Sequence, residues 1–155
     1  MEITEDKIHR TIDLTNRRDN KMKTEIRYLE LKDNGCNHNG TAWIGKVKLS
    51  KTGKTIYFND KAFRKNAGGN IGGISNYYDV ETGEQYWISG VKRDGTDRHW
   101  AGSGKILIGK NIVDNYLNEI GQTKLRANLQ IVDIPEIYPI ERITELDNKS
   151  GFGCE

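Results

Sequence analysis

The chain has 155 residues, of which 35% are hydrophobic and 30% charged, with 24 Lys and Arg against 22 Asp and Glu for a formal net charge of +2. That length and composition suit one domain with a modest core. The slight basic excess does not by itself indicate a nucleic-acid partner, because such partners are met by clustered charge.

Two cysteines, Cys36 and Cys154, fall short of a disulfide framework and read as free thiols in a reducing cytoplasm. No run approaches the roughly 18 apolar residues of a membrane span. The opening M-E-I-T-E-D-K-I has no apolar stretch of the kind a secretion signal carries. The expected location is therefore cytoplasmic.

Residues 1–21 are polar and charge-mixed and read as an N-terminal arm. Ile8 and Ile12 stand four apart and Thr4 is a candidate cap, so a short, thin-faced helix is the only regular structure expected there. Residues 24–32 read as a strand, with Ile26 and Tyr28 alternating with charges. Residues 33–40, D-N-G-C-N-H-N-G, are dense in turn formers and read as a loop. A strand follows over 41–50, with Trp43, Val47 and Leu49 on one side and Lys46 and Lys48 on the other, and another over 55–59.

Three turns share one chemistry: Lys51-Thr52-Gly53-Lys54, Glu81-Thr82-Gly83-Glu84 and Arg93-Asp94-Gly95-Thr96. Each places Gly after Thr or Asp, where a tight hairpin needs positive φ. Three such turns between strand-like runs predict an antiparallel meander.

The register of each hairpin decides which face is buried. A two-residue loop at Thr52-Gly53 sets Leu49 against Ile56 and Val47 against Phe58, and leaves Lys46, Lys48 and Tyr57 opposite. At the second turn a bulged loop is expected. It pairs Tyr78 with Tyr86, groups them with Val80 and Ile88, and leaves Tyr77 against Trp87 on the outer face. The two-residue alternative would set Glu81 opposite Glu84, and like charges across strands repel.

Residues 61–74, with G-G-N-I-G-G at 68–73, read as a flexible loop. Residues 105–109 form a short buried strand. Residues 111–120 form a helix that closes one end of the sheet, with Ile112, Val113, Tyr116 and Ile120 on one face, Asn111 as cap and Gly121 as stop. Residues 122–155 hold both prolines and keep no single period, so they read as an extended arm packed on its own barrel or on another chain, ending in a disordered tail. The expected fold is mainly β: a small antiparallel meander or SH3-like barrel over 22–121, with one C-terminal helix and extended terminal arms.

The span from about Trp43 to Gly121 resembles a group of short bacterial proteins of uncharacterised role. The matching pieces are I-G-K-V-K-L-S-K-T-G-K-T-I-Y-F, N-Y-Y-D-V-E-T-G-E-Q-Y-W-I-S-G and K-R-D-G-T-D-R. Some members carry the name deoxyxylulose-phosphate synthase. An enzyme of that kind needs several large α/β domains and a G-D-G-type metal motif ending in Asn. This chain has neither, and the resemblance implies no catalytic residues.

Little in the sequence points to catalysis. Gly102-Ser103-Gly104-Lys105 lacks the spacing of a phosphate loop and precedes a strand. Cys36 and His38 form one C-x-H, with His9, His99 and Cys154 too scattered to complete a metal site. The acid pairs Asp79/Glu81 and Asp94/Asp97 suit turns and a salt bridge to Arg98 before they suit general acid–base work. No cofactor motif is present.

The constellation that stands out is basic and aromatic: Tyr77, Trp87, Lys92, Arg93, Arg98, His99 and Trp100, extended by Lys46, Lys48 and Lys54. Aromatics with Arg mark protein interfaces. The same residue types let small barrels hold single strands. The first expectation is a non-enzymatic module for a protein partner, as in an inhibitor or immunity protein, with self-association through the C-terminal arm. The second is single-stranded RNA or DNA binding. The third is a small hydrolase using Asp or Glu in a cleft.

Overall fold

A computed structural model describes residues 22–32, 40–68, 75–98 and 104–154 of the chain. The N-terminal arm, the Cys36/His38 loop, most of the glycine loop, His99 and Trp100 lie outside the described residues.

Among the described residues eight strands form one sheet: β1 (Thr24–Leu31), β2 (Ala42–Leu49), β3 (Thr55–Phe58), β4 (Lys61–Lys65), β5 (Tyr77–Asp79), β6 (Gln85–Gly90), β7 (Ile106–Gly109) and β8 (Leu129–Val132). The order β1-β6-β5-β4-β3-β2 closes through a β1–β2 pairing into a six-stranded antiparallel barrel. From β2 the sheet continues outward through β7 and β8, both paired in parallel. Residues 42–44 of β2 pair with β7, and Lys48 and Leu49 pair with β3. Gly45 lies between these two stretches, and the Phe58 ring fills the space its side chain would take. A glycine in a strand interior suits such a bend and close approach.

Alternation sorts the strands into an inner and an outer wall. Leu29, Val47, Ile56, Phe58, Phe63, Tyr77, Tyr86 and Ile88 fill the barrel. The Phe63 and Tyr86 rings meet edge to face at 4.6 Å. On the outer wall, Tyr28, Ala42, Ile44, Ile106 and Ile108 pack against Tyr116 and Ile120 of helix α1 (Val113–Ile120) and against Ile112 just before it. The helix expected near 111–120 is present, preceded by a 3-10 turn over Lys110–Ile112 and stopped by Gly121 at φ +71°. It covers the flank of the sheet rather than closing an end. Asn111 does not cap it; its amide donates to Glu136.

Two further expectations need correction. Residues 61–65 are strand β4, because Ala62 and Phe63 are buried on opposite walls, one under the C-terminal segment and one in the barrel. Within the C-terminal region, β8 and a second helix, α2 (Ile140–Cys154), replace the expected extended arm and its disordered tail. The segment does pack on its own barrel, as one reading had it: Tyr138, Ile140 and Ile143 cover Tyr57 and Ala62 on the outer wall. The neighbours that make a helix worthwhile there come from β3 and β4, some eighty residues earlier.

The first hairpin has the expected facing, with Leu49 opposite Ile56 and Lys48 opposite Tyr57. Its loop is longer than two residues: Ser50 N–H donates to Thr55 O at 2.9 Å, and Gly53, at φ +74°, donates to Ser50 O. Lengthening a loop by one residue on each side keeps the pairing frame, so the buried face is unchanged.

The second hairpin differs. Tyr77 pairs with Tyr86 and Tyr78 with Gln85. The cause is Asp79, whose buried carboxylate accepts the N–H groups of Glu81 at 2.9 Å and Thr82 at 3.3 Å and stands 3.8 Å from Lys61 Nζ. Holding Asp79 inward forces its alternate neighbour Tyr77 inward too.

The third turn is a turn but not a hairpin. Gly95 has φ +75° and Asp94 accepts from Thr96, yet β6 pairs with β1 and β5, and the chain goes on towards β7.

Candidate interaction surface

The basic-aromatic group does not assemble as one face. Tyr77, expected outside, is 7% exposed in the barrel interior, where the Asp79 anchor puts it. Trp87 is on the outer wall, half-buried against the cluster under α1 and directly across from Glu30 of β1. Lys92 and Arg93 are exposed on the turn after β6. His99 and Trp100 fall outside the described residues.

The Arg98 side chain is only 7% exposed, and it works as a strut. Its guanidinium donates to Gly40 O at 3.1 Å and Lys105 O at 3.2 Å, and it stands 3.9 Å from Glu30. Gly40 precedes β2 and Lys105 precedes β7, so one cation ties two loop stems together.

Glu30 is the centre of that buried polar group. It is 1% exposed, accepts the Tyr28 hydroxyl at 2.5 Å and pairs with Lys32. Burial, and next the bond to Glu30, push the Tyr28 phenol above its ordinary range, so it stays a donor. A carboxylate this deep is tolerated because donors and cations surround it.

Asp97, expected to pair with Arg98, accepts the Lys92 N–H at 2.7 Å. Burial raises its pKa, against the pull of that bond. Of the acid pairs, Asp79 and Asp94 are therefore occupied with turns and Asp97 with a main-chain donor, while Glu81 meets Arg142 at 2.8 Å.

A different cationic-aromatic group is assembled by the register. On the outer wall of β2 to β5, Lys48 stands beside Tyr57, Thr55 beside Arg64, and Arg64 beside Tyr78. The C-terminal segment lies over this wall. Arg64 makes a two-pronged contact with Asp147, at 2.8 and 2.7 Å. The Arg64 guanidinium holds the Asp147 carboxyl below its ordinary range. Lys46 stands 3.8 Å from Glu136, Lys48 sits 4.9 Å above the Tyr138 ring, and the Tyr138 hydroxyl donates to Lys46 O at 3.0 Å. Arg142 of α2 reaches back to Asp60 and Glu81, fastening the helix to two turns of the barrel.

Reading 61–74 as loop hid Arg64, and the wrong register hid Tyr78. The signal for Arg64 was K-A-F-R-K, whose alternation puts Ala62 and Arg64 opposite Phe63; the signal for Tyr78 was Asp79, placed to accept the N–H groups of its own turn.

At the far edge of the sheet β8 pairs with β7 on one side, and Ile131 is 52% exposed. Ile137, farther along the segment, is 49% exposed. Among the described residues no helix is long and apolar enough to cross a membrane. The fold defines a small closed barrel with a two-stranded parallel extension and two flanking helices. Comparison of the chain with protein-family models, with curated proteins and with solved structures finds no match.

Proposed function

We propose that this protein is a non-enzymatic binding module for a protein partner, and that the outer edge of β8 is its contact. The observation that carries the reading is the exposure of Ile131 on the last strand of the sheet. An extended segment of a partner adds to such an edge through main-chain hydrogen bonds, and the side chains along it set the specificity. Ile131 supplies the apolar anchor, and Asp133 just past the strand favours a partner segment with a basic residue. An inhibitor or immunity role is the same contact made across a partner's active site. A second copy of the chain engaging the same edge is self-association through the C-terminal region.

The test is affinity capture from nuclease-treated native extract with wild type and Ile131→Lys, together with sedimentation of the purified chain. A partner, or a dimer, that is present with wild type and lost with Ile131→Lys at unchanged melting temperature supports the reading. Capture or dimerisation indifferent to Ile131→Lys refutes it.

A further inference from the structure

We infer that residues 133–149 are a displaceable acidic strap, and that the wall beneath it is a binding surface for single-stranded nucleic acid. This goes beyond the protein-binding reading, which concerns the edge of β8 before the strap begins, and either can fail alone.

The argument begins with what the strap puts on the wall. Lys46 and Arg64 each face a carboxylate of the strap, Glu136 and Asp147. Between them Lys48 lies against the face of the Tyr138 ring. Tyr57 is buried under the same segment, and Tyr78 stands next to Arg64 in register. Carboxylates over the flanking cations and an aromatic ring between them repeat the pattern of a single strand, whose phosphates pair with Lys and Arg and whose bases stack. The strap supplies from within the chain what a nucleotide strand would supply from outside.

The strap's hold is of a kind that can be exchanged. Its buried apolar contact with the wall centres on Ile143 against Tyr57 and Ala62. Tyr138 and Ile140 pack beside it, Ile137 O accepts the Asp60 N–H at 2.8 Å and the Tyr138 hydroxyl donates to Lys46 O. The remaining hold is ion pairs whose strap side chains are half-exposed, Asp147 at 48%, Glu136 at 44% and Arg142 at 44%. Such pairs contribute little individually in water and are screened by salt. A polyanion that offers several phosphates at once competes for the same cations. Duplex DNA offers phosphates but no unstacked base for Tyr57 or Tyr78, so the aromatic part of the wall selects the single strand.

The arrangement makes the binding-competent state a minor one in the intact chain. Apparent affinity then falls by the fraction of molecules with the strap off.

The experiment is fluorescence anisotropy with a labelled oligouridylate of about 12 nucleotides, comparable to the site of one small barrel. The full-length variant Glu136→Gln/Asp147→Asn removes the two strap charges that face Lys46 and Arg64 and leaves the wall intact. Its expected affinity is about tenfold above wild type, with a salt dependence equivalent to about three phosphate contacts. Adding Lys46→Glu and Lys48→Glu to that background is expected to abolish the gain. Arg142→Ala, which loosens the strap at Asp60 and Glu81 without touching the wall, is a second route to the same tightening. Hydrogen exchange over 140–147 reports strap release in each variant.

A strap that exchanges faster while oligouridylate affinity stays at the wild-type level overturns the proposal. So does binding that survives the two Lys→Glu changes. Duplex DNA bound as tightly as the single strand overturns the assignment to single strands. Loss of protein capture with Ile131→Lys leaves all of these outcomes unaffected, so the two readings are separable.

Discussion

Gly45→Ala isolates one steric contact in the barrel. Gly45 lies within β2 with ordinary strand backbone, so alanine is conformationally allowed there. A Cβ at this position would stand 2.0 Å from Phe58 Cε1 and 2.6 Å from Cζ. Phe58 is 4% exposed and packed among barrel side chains, so its ring has little room to yield. Overpacking of this kind costs about 1–3 kcal/mol. Replacing Gly also removes flexibility from the unfolded chain, which returns about 0.5–1 kcal/mol. The net expectation is a loss of about 0.5–2 kcal/mol, the difference of those two effects. Phe58→Leu removes both clashing atoms. The double variant should therefore be more stable than the sum of the single losses by about 1 kcal/mol, a coupling typical of residues in contact. Urea unfolding at constant m-value measures all three variants. A Gly45→Ala protein within about 0.5 kcal/mol of wild type would refute the reasoning. So would additivity of the two changes.

Tyr28→Phe removes a donor from the buried Glu30 carboxylate and should cost about 1.5–3 kcal/mol in the same urea assay. A variant as stable as wild type would mean that Lys32 and Arg98 suffice to hold Glu30. Asp97 gives a pH signature. Its folded-state pKa is raised, so between the unfolded carboxyl value near 4 and the raised one the folded chain holds more proton than the unfolded chain. Stability contributed by this group is therefore lost as pH rises through that window. Asp97→Asn should flatten the fall while Asn still accepts the Lys92 N–H, and urea midpoints taken across the window decide it. An unchanged slope would assign the pH dependence to other groups.

Much of the barrel was legible because its cues are local. Gly53 and Gly83 sit at positive φ, where their turns require it, and alternation in β2 and β3 marks the inner wall correctly. The helix at 113–120 followed from its apolar spacing and Gly121. The candidate face was less legible, because membership of a face depends on register. At the second hairpin the decision rested on avoiding Glu81 opposite Glu84. The structure avoids that pairing differently, by anchoring Asp79 on the turn's own N–H groups. Arg98 looked like a surface cation in a polar turn, and nothing near it in sequence announces Glu30, Gly40 or Lys105.

By itself the sequence determined that the chain is mainly β, where it reverses, and which side chains of the first hairpin face the core. Sterics at glycine and the two-residue period act within a few residues, so they can be read there. Only the tertiary structure decided that Tyr77 goes in, that Arg98 braces two loop stems, and that α2 lies over the Lys48–Tyr57–Arg64 wall. The last two depend on segments far apart in sequence meeting in one register, and Tyr77 follows Asp79, whose buried charge also finds Lys61 only once β4 and β5 have paired.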